Sequence, residues 1–302
     1  MSRVAYVNGR YVPYAHAAIH VDDRAVVFAD AAYEVIAVIG GRIADLAPHL
    51  DRLDRSLAEL RIEGHLSRQA LTVIANEMLH RNRLQYGLLY IQIGRGATSL
   101  RHSARDSAFP KDVRPSVIMT CRPIDFSRVA ARAAAGVAVA TMPDLRWSRV
   151  DIKSVSLLPN ALAKQAAREA GAFEAWMVDR DGRVTEGAST NAWIVAADGT
   201  IVTRPLSNSI LAGITRQVVI ALARDAGLKV EERPFTVAEA QAAKEAFFTS
   251  TTGGPIPVVA IDGMTVANGA PGGVTEQLIG LYRRHLASFA PDPEAAFQVL
   301  GG

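Results

Sequence analysis

Five dipeptides punctuate stretches in which apolar and polar residues alternate: Asn8-Gly9, Gly40-Gly41, Asp181-Gly182, Asp198-Gly199 and Asp262-Gly263. A two-residue hairpin loop holds both central residues at positive φ, which these pairs tolerate at least cost. Each dipeptide therefore predicts a local antiparallel return, as in "AYVNGRYVP", "YEVIAVIGGRIADL", "EAWMVDRDGRVTEG" and "NAWIVAADGTIVTRP". Helical patterns fall between the hairpins without regular βαβ alternation. A doubly wound parallel sheet is not expected, and the fold class is α/β of the mixed, α+β kind.

The helical segments follow from a change of period. Leu50, Leu53, Leu57 and Leu60 recur three and four apart, the stripe of an amphipathic helix. Further helices are expected over Arg68 to Asn82, Asn160 to Ala170, the run "TRQVVIALARDAG", about Thr236 to Ala243, and Thr275 to Phe289. "PDPEAAFQVLGG" reads as a frayed tail. A length of 302 residues suggests about two domains. The Pro-containing passage "MTCRPIDFSRV" places the linker at 121–128, between an N-terminal domain over 1–120 and a larger one over 129–302.

Composition removes several functions. No apolar run approaches the roughly 20 residues of a membrane span, and "MSRVAYVNGR" has no signal-peptide apolar region. Cys121 is the single cysteine, which fits a reducing cytoplasm. The net charge of +3 comes from dispersed Arg, so nucleic acid is not an expected partner. The chain lacks GxxxxGK[ST], GxGxxG after a first strand, HExxH, GxSxG and CxxC. His16 and His20 lie in strand-like sequence without a Cys or Glu cluster, so no metal site is expected.

What remains is a lysine. Only five of the 33 basic residues are Lys, and Lys153 sits between Ile152 and the apolar Val155, Leu157 and Leu158. A desolvated amine can lose its proton and act as a nucleophile, whereas a guanidinium cannot. Lys153 is thus either a reactive amine or a strand-end Lys that lays its stem on apolar surface. A Schiff-base lysine is most useful with pyridoxal phosphate, which also needs a carboxylate for its ring nitrogen and an anion site for its phosphate. Glu186 in "VTEGASTNAWIV" supplies a carboxylate, or is merely an exposed hairpin Glu. In "LAGITRQVV", Gly213 precedes a helix whose first turn holds Ile214 and Thr215, so free N–H groups and a hydroxyl could converge on phosphate. Thr249, Ser250, Thr251 and Thr252 of "FFTSTTGG" offer a second wall, and Arg52 of "HLDRL" a guanidinium.

Together these segments resemble the fold-type-IV pyridoxal-phosphate aminotransferases, which include the D-amino-acid and branched-chain enzymes. The resemblance runs from "YVNGRYVP" through "FADAAYEV", "HLDRL", "DLRWSRVDIKSVSLLPNALAKQ", "VTEGASTN" and "LAGITR" to "FFTSTTGGPIPV". It implies a small α/β N-terminal domain, a larger pseudo-barrel domain that binds the cofactor, and a homodimer. It also implies that Lys153 carries pyridoxal 5'-phosphate as a Schiff base and that Glu186 pairs with the ring nitrogen. Arg52, Gly213, Ile214, Thr215, Ser250 and Thr251 would hold the phosphate, with Leu211 against the ring and Tyr33 and Thr252 on the substrate side. "DIKSVSLLPNALAKQ" and "DLRWSRVD" are most similar to D-amino-acid aminotransferases, which move the amino group of a D-amino acid such as D-alanine to 2-oxoglutarate or pyruvate. Branched-chain L-amino-acid and R-selective amine transaminases, and aminodeoxychorismate lyase, share the cofactor residues. The family's Arg-x-His carboxylate clamp is altered here: "GRGATSLRHSARDSAFP" is longer, offers Arg101 or Arg105, and has Ser107 in place of the His.

Overall fold

The computed structural model describes residues 3–97, 106–111 and 113–302, and among these the chain forms two sheets. By proximity it divides into two compact units. One comprises Met1–Asp125, Ile152–Ser156 and Phe289–Pro291; the other comprises Phe126–Asp151, Leu157–Ser288 and Asp292–Gly302.

The first unit contains β1 (Val4–Val7), β2 (Arg10–Pro13), β3 (Ala31–Ile39), β4 (Arg42–Ile43), β5 (Gly87–Gly94) and β6 (Ser116–Pro123), with helices α1 (Arg24–Val27), α2 (Leu46–Glu59) and α3 (Arg68–Asn82). Its sheet runs β2-β1-β6-β5-β3-β4, and every neighbouring pair is antiparallel. Asn8 and Gly9 both take positive φ, as the hairpin between β1 and β2 demands. Along β3, Ala32, Glu34, Ile36 and Val38 share one face, and the three apolar ones join Leu50, Leu53 and Leu57 of α2 in the core. Full burial of each leucine contributes roughly 1.5–3 kcal/mol. The opposite face, with Tyr33, Val35, Tyr90 and Gln92, is half-buried. Cys121 lies in the core, where burial pushes its thiol up to about 12, so it supplies no thiolate.

The second unit begins with α4 (Phe126–Ala135) and β7 (Val137–Pro143), then α5 (Leu158–Glu169), β8 (Glu174–Val178), β9 (Val184–Gly187), β10 (Asn191–Val195) and β11 (Ile201–Thr203). There follow α6 (Ile214–Asp225), β12 (Val230–Glu232), α7 (Val237–Gln241), β13 (Glu245–Ser250), β14 (Gly254–Ile261), β15 (Met264–Thr265), α8 (Gly273–Ala287) and α9 (Pro293–Gly301). Its mixed sheet runs β12-β11-β10-β13-β14-β7-β8-β9, with β15 paired to β14. The pairs β11–β12, β14–β7 and β7–β8 are parallel. The sheet curls into a half-barrel that brings β9 back beside β10. Trp176, Val184, Ile194, Phe235 and Phe248 fill its interior.

Two sequence expectations are corrected. The "frayed tail" is α9: Asp292 caps it by accepting from the Ala295 N–H, Pro293 opens it, and Ala296 and Leu300 are buried. The Lys153 segment is not a strand. It makes one antiparallel bridge, Ala32 to Ser154, and is otherwise irregular. Among the described residues no helix is long and apolar enough to cross a membrane.

Candidate active site

In the first unit, the edge of β3 clamps Lys153 from both sides. The Tyr33 N–H donates to the Lys153 carbonyl at 3.0 Å, and the Val155 N–H donates to the Ala31 carbonyl at 3.1 Å. Ser56 of α2 accepts from the Lys153 N–H at 3.2 Å. The irregular backbone thus has its polar groups paired while the side chain stays free to act. Lys153 is half-buried, and its Nζ lies 4.4 Å from the centroid of the Tyr33 ring, which stacks on Tyr90 at 5.6 Å. Among the described residues no carboxylate lies within ion-pair distance of that amine. The other lysines differ: Lys111, Lys229 and Lys244 are exposed, and Lys164 pairs with Glu174 at 3.1 Å.

Behind Tyr33, on the core face of β3, Glu34 is fully buried. A carboxylate there requires cations, and α2 supplies them one turn apart. Arg52 donates through Nε and Nη2 at 2.8 and 2.7 Å, and His49 Nδ1 lies 2.7 Å away, where a carboxylate partner makes it the donor. Burial pushes Glu34 up, but Arg52, the His49 hydrogen bond and the charge of Lys153 prevail and hold it at about 2. Burial keeps His49 below its ordinary value. Arg52, expected on a phosphate, therefore commits its Nε–Nη2 edge to Glu34.

In the second unit, Glu186 ends β9 and is buried, so it is not an exposed hairpin Glu. Gly187 lets the chain double back: a Cβ there would stand 2.0 Å from Thr190 Oγ1. The return carries Asn191 to Glu186, where its Nδ2 donates to Oε2 at 2.9 Å, and the Leu211 N–H donates to the same oxygen at 3.1 Å. Arg146 Nη1 donates to the other oxygen, Oε1. Arg146 is itself oriented by Asp144, at 2.9 and 2.7 Å. Burial pushes Glu186 up, with Arg146 pulling the other way.

Asn191 also donates to the Leu211 carbonyl at 3.0 Å, which fixes the approach to α6. Gly213 sits at the α6 N-cap without a side-chain cap, because a Cβ there would meet Asn191 Oδ1 at 2.1 Å. The first N–H groups of a helix have no intrahelical acceptor, so the Ile214–Thr215 turn offers donors for an anion. Thr215 Oγ1 lies 3.3 Å from the Tyr282 hydroxyl. Of the "TSTT" hydroxyls, Thr249 is turned into the core and accepts from Trp193 Nε1 at 3.0 Å, so it belongs to no anion wall. Ser250 and Thr252 face each other at 3.2 Å, beside Thr251 in the turn after β13.

Among the candidates, Tyr33, Arg52 and Lys153 thus come from the first unit, and Glu186, Leu211, Gly213, Ile214, Thr215, Ser250, Thr251 and Thr252 from the second. Ser107 is exposed, and its carbonyl accepts from Arg24 Nη2 at 3.0 Å. Arg101 and Arg105 lie outside the described residues. Among the described residues no cluster of His, Cys, Asp and Glu could hold a metal ion.

Sequence reasoning missed Glu34, His49, Arg146 and Asn191. Asp144 and Arg146 stand two apart in "DLRW", a spacing that announces a local ion pair. Nothing local links Glu34 to residues 15 and 18 positions away.

The chain belongs to amino-transferase class IV, whose family model matches residues 31–261. It is an aminotransferase. It is similar to the D-alanine aminotransferase of Bacillus licheniformis, 39% identical over 271 residues covering 90% of this chain and 93% of that one. Among solved structures, the branched-chain aminotransferase of Thermoproteus uzoniensis with norvaline superposes with a TM-score of 0.80, at 27% identity over 95% of each chain. The Thermobaculum terrenum branched-chain amino acid aminotransferase in its PLP form also gives 0.80, at 23% identity over 94% of each chain, a likeness of fold.

Proposed function

We propose that the chain is a D-amino-acid aminotransferase, exchanging the amino group of a D-amino acid such as D-alanine with a 2-oxo acid, 2-oxoglutarate or pyruvate. The enzyme depends on pyridoxal 5'-phosphate, which supplies an electron sink for the pair left when the substrate Cα loses its proton. Lys153 carries the cofactor and then moves that proton. Glu186 accepts the ring N–H and keeps the ring nitrogen cationic, while Asn191 and the Leu211 N–H hold the carboxylate in place. Ile214 and Thr215 offer backbone N–H groups and a hydroxyl to the phosphate, together with Ser250 and Thr251. Arg52 is assigned to the same phosphate. Leu211 packs on the ring, and Tyr33 and Thr252 face the substrate.

For the substrate carboxylate, Arg105 is favoured over Arg101, because an insertion in the sequence ahead of an anchored Phe109-Pro110 leaves the residues beside that anchor in place. Ser107 offers a neutral hydroxyl where the family has a His, so carboxylate binding should be weaker and simple amines better tolerated. A D-alanine aminotransferase at 39% identity favours the D-amino-acid reading over a branched-chain one at 27%. A homodimer fits the exposed Leu145, Leu158 and Leu162, at 79, 71 and 64% exposure, and the single free cysteine, Cys121, fits a reducing cytoplasm.

The observation that carries the mechanism is Lys153, half-buried and, among the described residues, without a carboxylate partner. Borohydride reduction of the yellow holoenzyme followed by peptide mapping should place the pyridoxyl group on Lys153. A panel of D- and L-amino acids with 2-oxoglutarate or pyruvate should show turnover of D-alanine. Label on Lys164 or Lys244 would sink the assignment, and turnover of L-amino acids alone would sink the substrate class.

A further inference from the structure

On the second unit, α4, α8 and α9 and the turn Thr251–Gly254 line a narrow groove open to solvent. Its walls are largely apolar: Val129, Ile279, Leu286 and Leu300 contribute side chains. Thr251, Thr252 and Tyr282 add hydroxyls to the lining, and Arg283 of α8 adds a charge. Its guanidinium is half-buried against α9, with Nη1 3.9 Å from where a Cβ of Gly301 would stand. Among the described residues nothing accepts a hydrogen bond from it, and no carboxylate pairs with it. Other buried arginines of this unit are engaged: Arg146 on Asp144 and Glu186, Arg216 on Glu232.

Burial holds Arg283 below the ordinary arginine range, yet a guanidinium remains protonated at any physiological pH. A partly desolvated charge without a counterion is a standing cost that a bound anion would relieve. One cation on an apolar wall matches one negative charge joined to an apolar body. A dianion would bring an unpaired charge against leucines.

We propose that this groove binds a monocarboxylate with a medium-length apolar tail. Its carboxylate lies on Arg283, where two parallel N–H donors match two oxygens. Its tail lies along Val129, Ile279, Leu286 and Leu300.

The groove shares a wall with the cofactor-holding residues proposed above. A Cβ on Gly254 would stand 2.6 Å from the Tyr282 ring, and the Tyr282 hydroxyl reaches Thr215. A ligand pressing on that turn and on Tyr282 therefore alters cofactor release. This coupling rests on the functional reading; the binding itself does not.

The test is calorimetric titration of the holoenzyme with octanoate, octanol and octylamine. Octanoate should bind saturably and with one site, and octanol and octylamine about tenfold more weakly or worse. Arg283→Gln should weaken octanoate by a similar factor, Arg283→Lys should recover part of it, and both should keep wild-type transamination. Should Arg283→Gln fail to fold, Ile279→Trp fills the tail slot and should abolish binding alone. Equal octanoate affinity in Arg283→Gln would overturn the proposal, as would displacement of octanoate by D-alanine, which would put it in the active site. Octanoate binding, lost in Arg283→Gln, by a protein that transaminates nothing would support the groove and refute the functional reading separately.

Discussion

Glu34→Gln isolates the buried charge cluster behind Lys153. The wild-type carboxylate is fully buried, faces Arg52 at 2.7 Å, and is held at about 2 against an ordinary 4.5. A group whose folded value is depressed stabilises the protein above its unfolded value and loses that contribution as pH falls through the folded one. The displacement corresponds to about 3 kcal/mol at pH 7, falling to about 1 kcal/mol at pH 3. Glutamine keeps a hydrogen bond to Arg52 but removes the carboxylate charge, and breaking a buried pair costs about 3–5 kcal/mol. The assay is urea unfolding followed by circular dichroism at several pH values. Tryptophan emission is unsuitable, because Trp147, Trp176 and Trp193 all lie in the second unit. The difference between wild type and variant should be near 3 kcal/mol at neutral pH and shrink only below about pH 4.5. A difference under about 1 kcal/mol at pH 7, or one that does not change between pH 7 and 3, would refute the reasoning.

Lys153→Ala should retain cofactor but lose turnover by roughly several orders of magnitude, since nucleophile and proton carrier are removed together; cofactor loss on dialysis would contradict this. Glu186→Gln should slow Cα deprotonation, seen by rapid mixing, more than it weakens cofactor binding, and an unchanged deprotonation rate would take Glu186 off the ring nitrogen. Gly213→Ala forces a methyl against Asn191 and should weaken cofactor binding about tenfold or more in apoenzyme titration and lower the melting temperature. Arg105→Ala should raise the KM for D-alanine far more than Arg101→Ala, and the reverse order would move the carboxylate to Arg101.

Much of the local structure was legible because its signals are local. The helix expected over Arg68 to Asn82 has those bounds, set by a Ser67 cap and a left-handed Arg83. The turns at Asp181-Gly182 and Asp198-Gly199 join β8 to β9 and β10 to β11. The tail reads as frayed although Asp292-Pro293-Glu294 is a helix start, because chain ends are usually poorly ordered. Thr249 was assigned to an anion wall on composition, but alternation along β13 turns it toward Trp193. Glu34 was invisible for a different reason. An acidic residue in an apolar strand looks like a solvent-facing position until α2 is laid against that face. The burial of Glu186 likewise depends on the doubling-back at Gly187, which sequence order alone does not reveal.

The five residues Ile152–Ser156 belong to the first unit, while the chain on either side of them belongs to the second. The gene therefore has no single point at which it could be cut to yield both halves whole. A product ending at Asp125 would lack the acceptor for the Tyr33 N–H, the partner of Ala32, and the amine itself. Shuffling between relatives at that boundary would import a foreign Lys153 segment with the second half, so that segment and the β3 edge must be inherited as a matched pair.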